Sequence, residues 1–228
     1  MATTLAFDVY GTLISTHGVL TVLEELVGDQ AKAFSNTWRE KQLEYSFRKG
    51  LMQNYETFAV CTSQALDYTC AYYRTDLSDK QKNELMVIYS ILPAFADVKK
   101  GLAQLKAAGF RLYAFSNGTV DALEVLLNNA GIQELFLGIV SVDDIKTFKP
   151  SPAVYSHFLR QSKATGSSTW LISSNPFDVI GSISAGMKSA WVQRSPEAIF
   201  DPWGIEPTVT VQSLLELKEQ ITKWERND

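Results

Sequence analysis

The chain has 228 residues, 46% of them hydrophobic and 20% charged, which is enough to bury a core in one domain or in one domain carrying an insertion. Its net charge of -4 argues against nucleic acid or an anionic membrane as a partner, while a local Lys or Arg cluster can still hold a small anion. No uninterrupted apolar stretch approaches the roughly 18 residues of a membrane span, and no basic segment leads into an apolar one at the start, so a soluble, cytoplasmic protein is expected.

Leu5-Ala6-Phe7 runs into Asp8, and Gly11 follows three residues later. A buried strand reads this way when it ends in a tight turn bearing one carboxylate. Residues 15–93 then read as helices without a strand. Segment 29–49 carries Phe34, Trp38, Gln42 and Tyr45 on one stripe, with Arg39, Leu43 and Phe47 beside it. Segment 55–74 carries Tyr55, Phe58, Ala59, Leu66, Cys70 and Tyr73, and Ser78 with Gln81 reads as a capping box opening a helix toward Ile91. Cys61 and Cys70 are the only cysteines. On one helix they stand about 13.5 Å apart along the axis, beyond the roughly 7 Å between Cα atoms that a disulfide allows.

From 97 onward helices and strands alternate. The pattern predicts helices over 97–108, 120–130, 152–162 and up to 185, and strands over 110–115, 136–141, 170–172 and 189–193. A Pro-rich loop and a helix over 212–224 close the chain. Such alternation implies βαβ units and a mainly parallel sheet. Asp8, Ser116-Asn117 and Ser173-Ser174-Asn175 all fall where a strand gives way to a turn, and in a doubly wound sheet those ends lie side by side. Lys149 precedes a helix and Asp178 lies just inside one. These polar groups at one edge exceed what capping requires, and they predict an active site there.

Asp8-x-Tyr10-Gly11-Thr12-Leu13, Ser116-Asn117-Gly118, Lys149-Pro150 and Ser173-Ser174-Asn175-x-x-Asp178, in that order, resemble the signature of the haloacid dehalogenase superfamily over the whole length. The resemblance implies an α/β fold: a Rossmann-like, doubly wound, mainly parallel sheet core formed by residues 1–14 and 94–228, with an inserted all-helical cap at 15–93. Tyr10 selects the branch. Phosphatases of the superfamily place a second Asp at that position and a Gly-Asp pair where Ser174-Asn175 stands here. Without those carboxylates the site is poor for Mg²⁺ and lacks an acid for a phosphate leaving group. A halide needs no proton to leave.

The chain therefore is similar to the L-2-haloacid dehalogenases. The likeness implies that Asp8 displaces halide from C2 of a short (S)-2-haloacid, and that water then opens the resulting ester to an (R)-2-hydroxy acid with no metal or other cofactor. By the same likeness Thr12 orients Asp8, while Ser173, Asn175 and Asp178 position or activate water and orient Lys149. Ser116 and the backbone N–H groups after Asp8, Gly11 among them, hold the substrate carboxylate beside the charge of Lys149. Arg39, Asn117 and Phe177 cradle the halide; Tyr10, Leu43 and Phe58 line the apolar wall; Tyr155 assists Lys149 or simply packs. The implied partners are the haloacid, the halide and a second copy of the chain. Glu40 departs from the pattern, where a neutral amide is expected, and its line with Glu44 and Arg48 predicts a solvated face. The competing readings are a phosphatase with an atypical site and a catalytically silent binding protein on the same scaffold.

Overall fold

Six strands form one sheet in the computed structural model, which describes residues 2–227. They are β1 (Thr4–Phe7), β2 (Arg111–Ser116), β3 (Gly138–Ser141), β4 (Thr169–Ser173), β5 (Lys188–Val192) and β6 (Val209–Val211). Their order is β3-β2-β1-β4-β5-β6, and every pairing is parallel. All residues of β1 and β4 are buried. Strands covered on both faces read as continuous apolar runs rather than as alternation, which is why these two were conspicuous. Burial of Leu5 and Phe7 stabilises the centre by roughly 1.5–3 kcal/mol each.

The chain leaves the sheet at Ile14 and returns at Ala94. These two form an antiparallel bridge, with the Ser15 N–H donating to Pro93 O at 2.9 Å and the Phe95 N–H to Leu13 O at 3.0 Å. Between the crossings lie helices α1 (Leu20–Val27), α2 (Ala31–Leu51), α3 (Phe58–Tyr73) and α4 (Asp79–Tyr89). The order continues with α5 (Val98–Ala107), α6 (Val120–Asn129), α7 (Pro152–Ser162), α8 (Pro176–Ser184) and α9 (Leu217–Asn227). This is the Rossmann-like, doubly wound sheet with an all-helical cap that the motifs imply. Among the described residues no helix is long and apolar enough to cross a membrane.

Phe34, Trp38 and Gln42 are buried along α2, and the Ser78–Gln81 capping box is formed. On α3 the stripe shifts: Ala59 is exposed, and Cys61, Thr62, Ala65 and Thr69 complete the buried face. Cys61 and Cys70 are both buried free thiols. Strand β3 begins at Gly138 rather than 136, and two elements late in the chain depart most from the sequence pattern. β6 lies inside the Pro-rich segment, where it pairs on one side only and is too short to show alternation. The last helix starts at Leu217 rather than 212, because the Ser213 hydroxyl (2.9 Å) and the Leu214 N–H (2.7 Å) both donate to Asp97 and hold that stretch as a turn.

Asp97 also binds Arg194, whose Nη1 lies 2.8 and 2.9 Å from its two oxygens. Burial pushes the Asp97 carboxyl up, but the Leu214 N–H, the Arg194 guanidinium and the Ser213 hydroxyl outweigh it and hold the pKa below the ordinary value. A depressed carboxyl contributes stability above its unfolded pKa, near 3.9, and loses it as pH falls through the folded value. Asp97→Asn is expected to cost about 1–3 kcal/mol in urea unfolding at pH 7, with the difference from wild type shrinking below about pH 4. An equal cost at both pH values would contradict this origin.

Candidate active site

The site forms where the strand order reverses, between β1 and β4, at the carboxyl ends of the strands. The Asp8 N–H donates to Ile172 O at 3.0 Å, extending the ladder one residue beyond β1 and bringing the carboxylate out at the sheet edge. The chain then turns sharply: the Val9 carbonyl accepts from the N–H groups of Thr12, Leu13 and Ile14. Gly11 has φ +85°, in the left-handed region that disfavours side chains, and a Cβ there would stand 3.5 Å from Ser174 Oγ and 3.9 Å from Arg39 Nη2. The turn needs glycine for its conformation, since a side chain there would meet its neighbours only at ordinary contact distance.

The two oxygens of Asp8 have different surroundings. Oδ2 accepts from Thr12 Oγ1 at 2.7 Å, Asn175 Nδ2 at 2.7 Å and Ser173 Oγ at 3.1 Å. Oδ1 meets Lys149 Nζ, 3.2 Å away. The ammonium gives its other two N–H bonds to Asp178 Oδ2 at 2.7 Å and Phe115 O at 2.9 Å, and it lies 4.2 Å from the Phe115 ring centroid. Lys149 is buried between two carboxylates with every donor used.

Asp178, near the start of α8, is fully buried. Burial raises its pKa to about 6; the Asp8 charge adds to the rise, while Lys149 and the Tyr155 hydroxyl oppose it. Tyr155, on α7, donates to Asp178 Oδ1 at 2.8 Å, and its phenol is pushed well above the ordinary range by burial and by the Asp178 charge.

The cap contributes Arg39. Its Nη2 donates to Tyr10 O at 3.3 Å and its Nη1 to Gln42 Oε1 at 2.6 Å, which carries the guanidinium to the nucleophile turn. Gln42 also accepts from Tyr89 and donates to Thr62 at 2.5 Å, so α2, α3 and α4 together fix the arginine. Asn117 Oδ1 accepts the Lys149 N–H at 3.0 Å, and its Nδ2 makes no hydrogen bond to the described residues. Ser116 Oγ accepts the Gly118 N–H at 3.2 Å and keeps its own hydrogen for another acceptor. Phe177 sits beside Asp178, its ring edge-on to Phe47 at 5.0 Å. Leu43 follows Arg39 by one turn of α2 and is half-buried. Tyr10 packs against Phe58 (5.7 Å between ring centroids) and Tyr89, and the three line a cavity of about 80 Å³ with Thr62, Met86 and Gly118. Glu40 is exposed, as its helical line predicts.

Three placements differ from the expectation. Ser173 and Asn175 both donate to Asp8 and neither reaches Lys149, because β4 runs directly beside β1 with Ile172 opposite Phe7. Tyr155 addresses Asp178 rather than Lys149. Gln42 and Arg194 were not singled out as site residues. Gln42 reads as one position of a buried stripe, and only its polarity among apolar neighbours marked it. Arg194 carries no motif at all.

Fold and site together define a hydrolase of the doubly wound α/β class with a helical cap over the strand ends. The family model for haloacid dehalogenase-like hydrolases matches residues 2–186, and the chain belongs to that family. The chain is 34% identical to an (S)-2-haloacid dehalogenase of Pseudomonas putida, over 95% of both chains. It is 34% identical to haloacetate dehalogenase H-2 of a Moraxella species (strain B), over 91% of this chain and 92% of that one. It superposes with a TM-score of 0.90, at 28% identity, on L-2-haloacid dehalogenase from Xanthobacter autotrophicus with chloropropionic acid covalently bound, covering 97% of this chain and 99% of the other.

Proposed function

We propose that the chain cleaves the carbon–halogen bond of short (S)-2-haloalkanoic acids and releases (R)-2-hydroxy acids, through an ester on Asp8 and without a metal ion. The observation that carries this is the asymmetry of the Asp8 carboxylate. Three neutral donors hold Oδ2, whereas Oδ1 meets only Lys149. Oδ1 attacks C2 from the face opposite the halogen, which inverts the centre. The halide leaves without a proton toward the Arg39 guanidinium, the free Nδ2 of Asn117 and the Phe177 ring. Ser116 and the N–H groups of the turn hold the substrate carboxylate near Lys149, and Tyr10, Leu43 and Phe58 face its carbon chain.

Water then attacks Cγ. Negative charge grows on Oδ2, where Thr12, Ser173 and Asn175 already point their hydrogens, the arrangement that stabilises a tetrahedral oxyanion. The Cγ–Oδ1 bond breaks, and Oδ1 departs as the hydroxyl of the product. Asp178, with its pKa raised to about 6, takes one proton from water and returns it to that oxygen, and the regenerated Asp8 carboxyl gives up the remaining hydrogen of the water to solvent as it ionises. Lys149 provides the positive charge between the two carboxylates. The paired crossing at Ile14 and Ala94 supports a division into a core of residues 1–14 and 94–228 and a cap of 15–93. The same reading includes a cytoplasmic homodimer, as the likeness to the family implies.

The test is halide release from (S)-2-chloropropionate in EDTA, beside the (R) enantiomer and a phosphomonoester with Mg²⁺. Chloride from the (S) acid alone, unaffected by EDTA, is expected. Metal-dependent phosphate release without chloride would overturn the proposal.

A further inference from the structure

Arg194 lies two residues beyond β5, outside every signature motif, and reaches back across the sheet edge to the nucleophile turn. Its Nε and Nη2 both donate to the Thr12 carbonyl, at 3.0 and 2.6 Å. Its Nη1 engages both oxygens of Asp97, and the guanidinium lies 4.2 Å from the Phe95 ring centroid. Asp97 is tied in turn to Ser213 and Leu214. Through this fork the backbone of Thr12 is fastened to the end of β5, the start of α5 and the loop before α9.

Thr12 needs such a fastening. No backbone N–H among the described residues takes its carbonyl, its own N–H bond to Val9 O is long at 3.3 Å, and the residue before it is the left-handed Gly11. Its hydroxyl nonetheless makes one of the two shortest bonds to Asp8 Oδ2, at 2.7 Å, while accepting the Ser174 N–H at 2.8 Å. A hydroxyl aimed at a developing charge stabilises it only when its backbone is held in advance. Arg194 supplies that constraint from a part of the chain 182 residues away in sequence.

We propose that Arg194 is a positioning residue for the second half of the reaction, acting through the Thr12 carbonyl; this rests on the Asp8-ester reading above. The two halves load the carboxylate differently. Ester formation draws charge away from Asp8 and does not need a strong donor set at Oδ2. Ester opening puts a full negative charge on Oδ2 while the water–Cγ bond forms and before Cγ–Oδ1 breaks. A displaced Thr12 hydroxyl therefore slows opening more than formation. A planar guanidinium can grip a carbonyl and a carboxylate at once, whereas a single ammonium cannot reproduce the fork.

Arg194→Gln and Arg194→Lys are compared with wild type on (S)-2-chloropropionate by steady-state kinetics, by rapid-quench halide release and by intact mass during turnover. Asp97→Asn, which keeps the arginine but loosens it, is the milder variant should the others unfold. All rates are referred to folded protein. The expected result is a kcat lower by about 10²-fold in both arginine variants and by a smaller factor in Asp97→Asn. KM does not rise, a halide burst precedes the slow phase, and the ester-bearing mass accumulates. A merely structural role would lower the folded fraction and the melting temperature without a burst or an accumulated ester, and that result overturns the inference. So does full rescue by Arg194→Lys, or unchanged kcat in an active wild-type background. No halide from the wild type would overturn the Asp8-ester reading and this inference together.

Discussion

Asp8→Asn is expected to lower halide release from (S)-2-chloropropionate by about 10⁴-fold or more while the protein stays folded. The amide nitrogen that replaces Oδ1 is a far weaker nucleophile than a carboxylate oxygen, and the neighbouring Asp178 lies across Lys149, its oxygens accepting from Lys149 and Tyr155, where it serves to exchange a proton rather than to attack carbon. The substitution keeps the size of the side chain and leaves an acceptor for Thr12, Ser173 and Asn175, so the turn should survive. Melting temperature and chloride release are measured on protein whose mass shows intact asparagine, since deamidation would restore the nucleophile. Chloride release within tenfold of wild type in such a sample would remove Asp8 from the chemistry.

The second large effect is expected at Lys149. Lys149→Met keeps the length of the side chain and removes the charge, leaving Asp8 and Asp178 facing each other without a cation. Breaking a buried pair on one side costs about 3–5 kcal/mol, and turnover should fall by at least about 10³-fold. The pH dependence gives the sharper check. A carboxyl whose folded pKa is raised contributes its stability below the unfolded value, near 3.9, and loses it as pH rises through the folded value. For Asp178 in the wild type that loss runs its course as pH rises through the folded pKa of about 6, and Lys149 is one of the groups keeping that value from going higher. Without the ammonium the loss extends further up. Lys149→Met is therefore expected to be much closer to wild type in urea unfolding at pH 5 than at pH 8. The same deficit at both pH values would show that the two carboxylates are not the source of the cost.

How far the sequence anticipates this site depends on what kind of contact carries each residue. Asp8 stands at a strand end and Lys149 and Asp178 near helix starts, which sets them toward the sheet edge; Thr12 enters only through the family likeness; and the structure gathers all four there. What could not be read was which neighbour each donor would choose. Ser173 and Asn175 turn to Asp8, and Tyr155 turns to Asp178, choices made by side-chain packing. Gln42 gains its role only when α2, α3 and α4 are packed, since its partners Arg39, Thr62 and Tyr89 come from all three. Arg194 is invisible for a related reason: its partner is a backbone carbonyl, and any residue type supplies one. β6 escaped notice because an edge strand of three residues has neither the length nor the double-sided burial that marks β1 and β4.

The paired crossing at Ile14 and Ala94 has a consequence for how such a protein can diverge. Because the chain departs and returns at adjacent points, the sheet is indifferent to what is spliced between them. The carboxylate, its three donors, the lysine and its aspartate all belong to the sheet side, whereas Arg39 and Phe58 arrive on the graft. Exchanging the graft would change the apolar wall and the arginine over the nucleophile turn together, while the carboxylate and its three donors stay with the sheet.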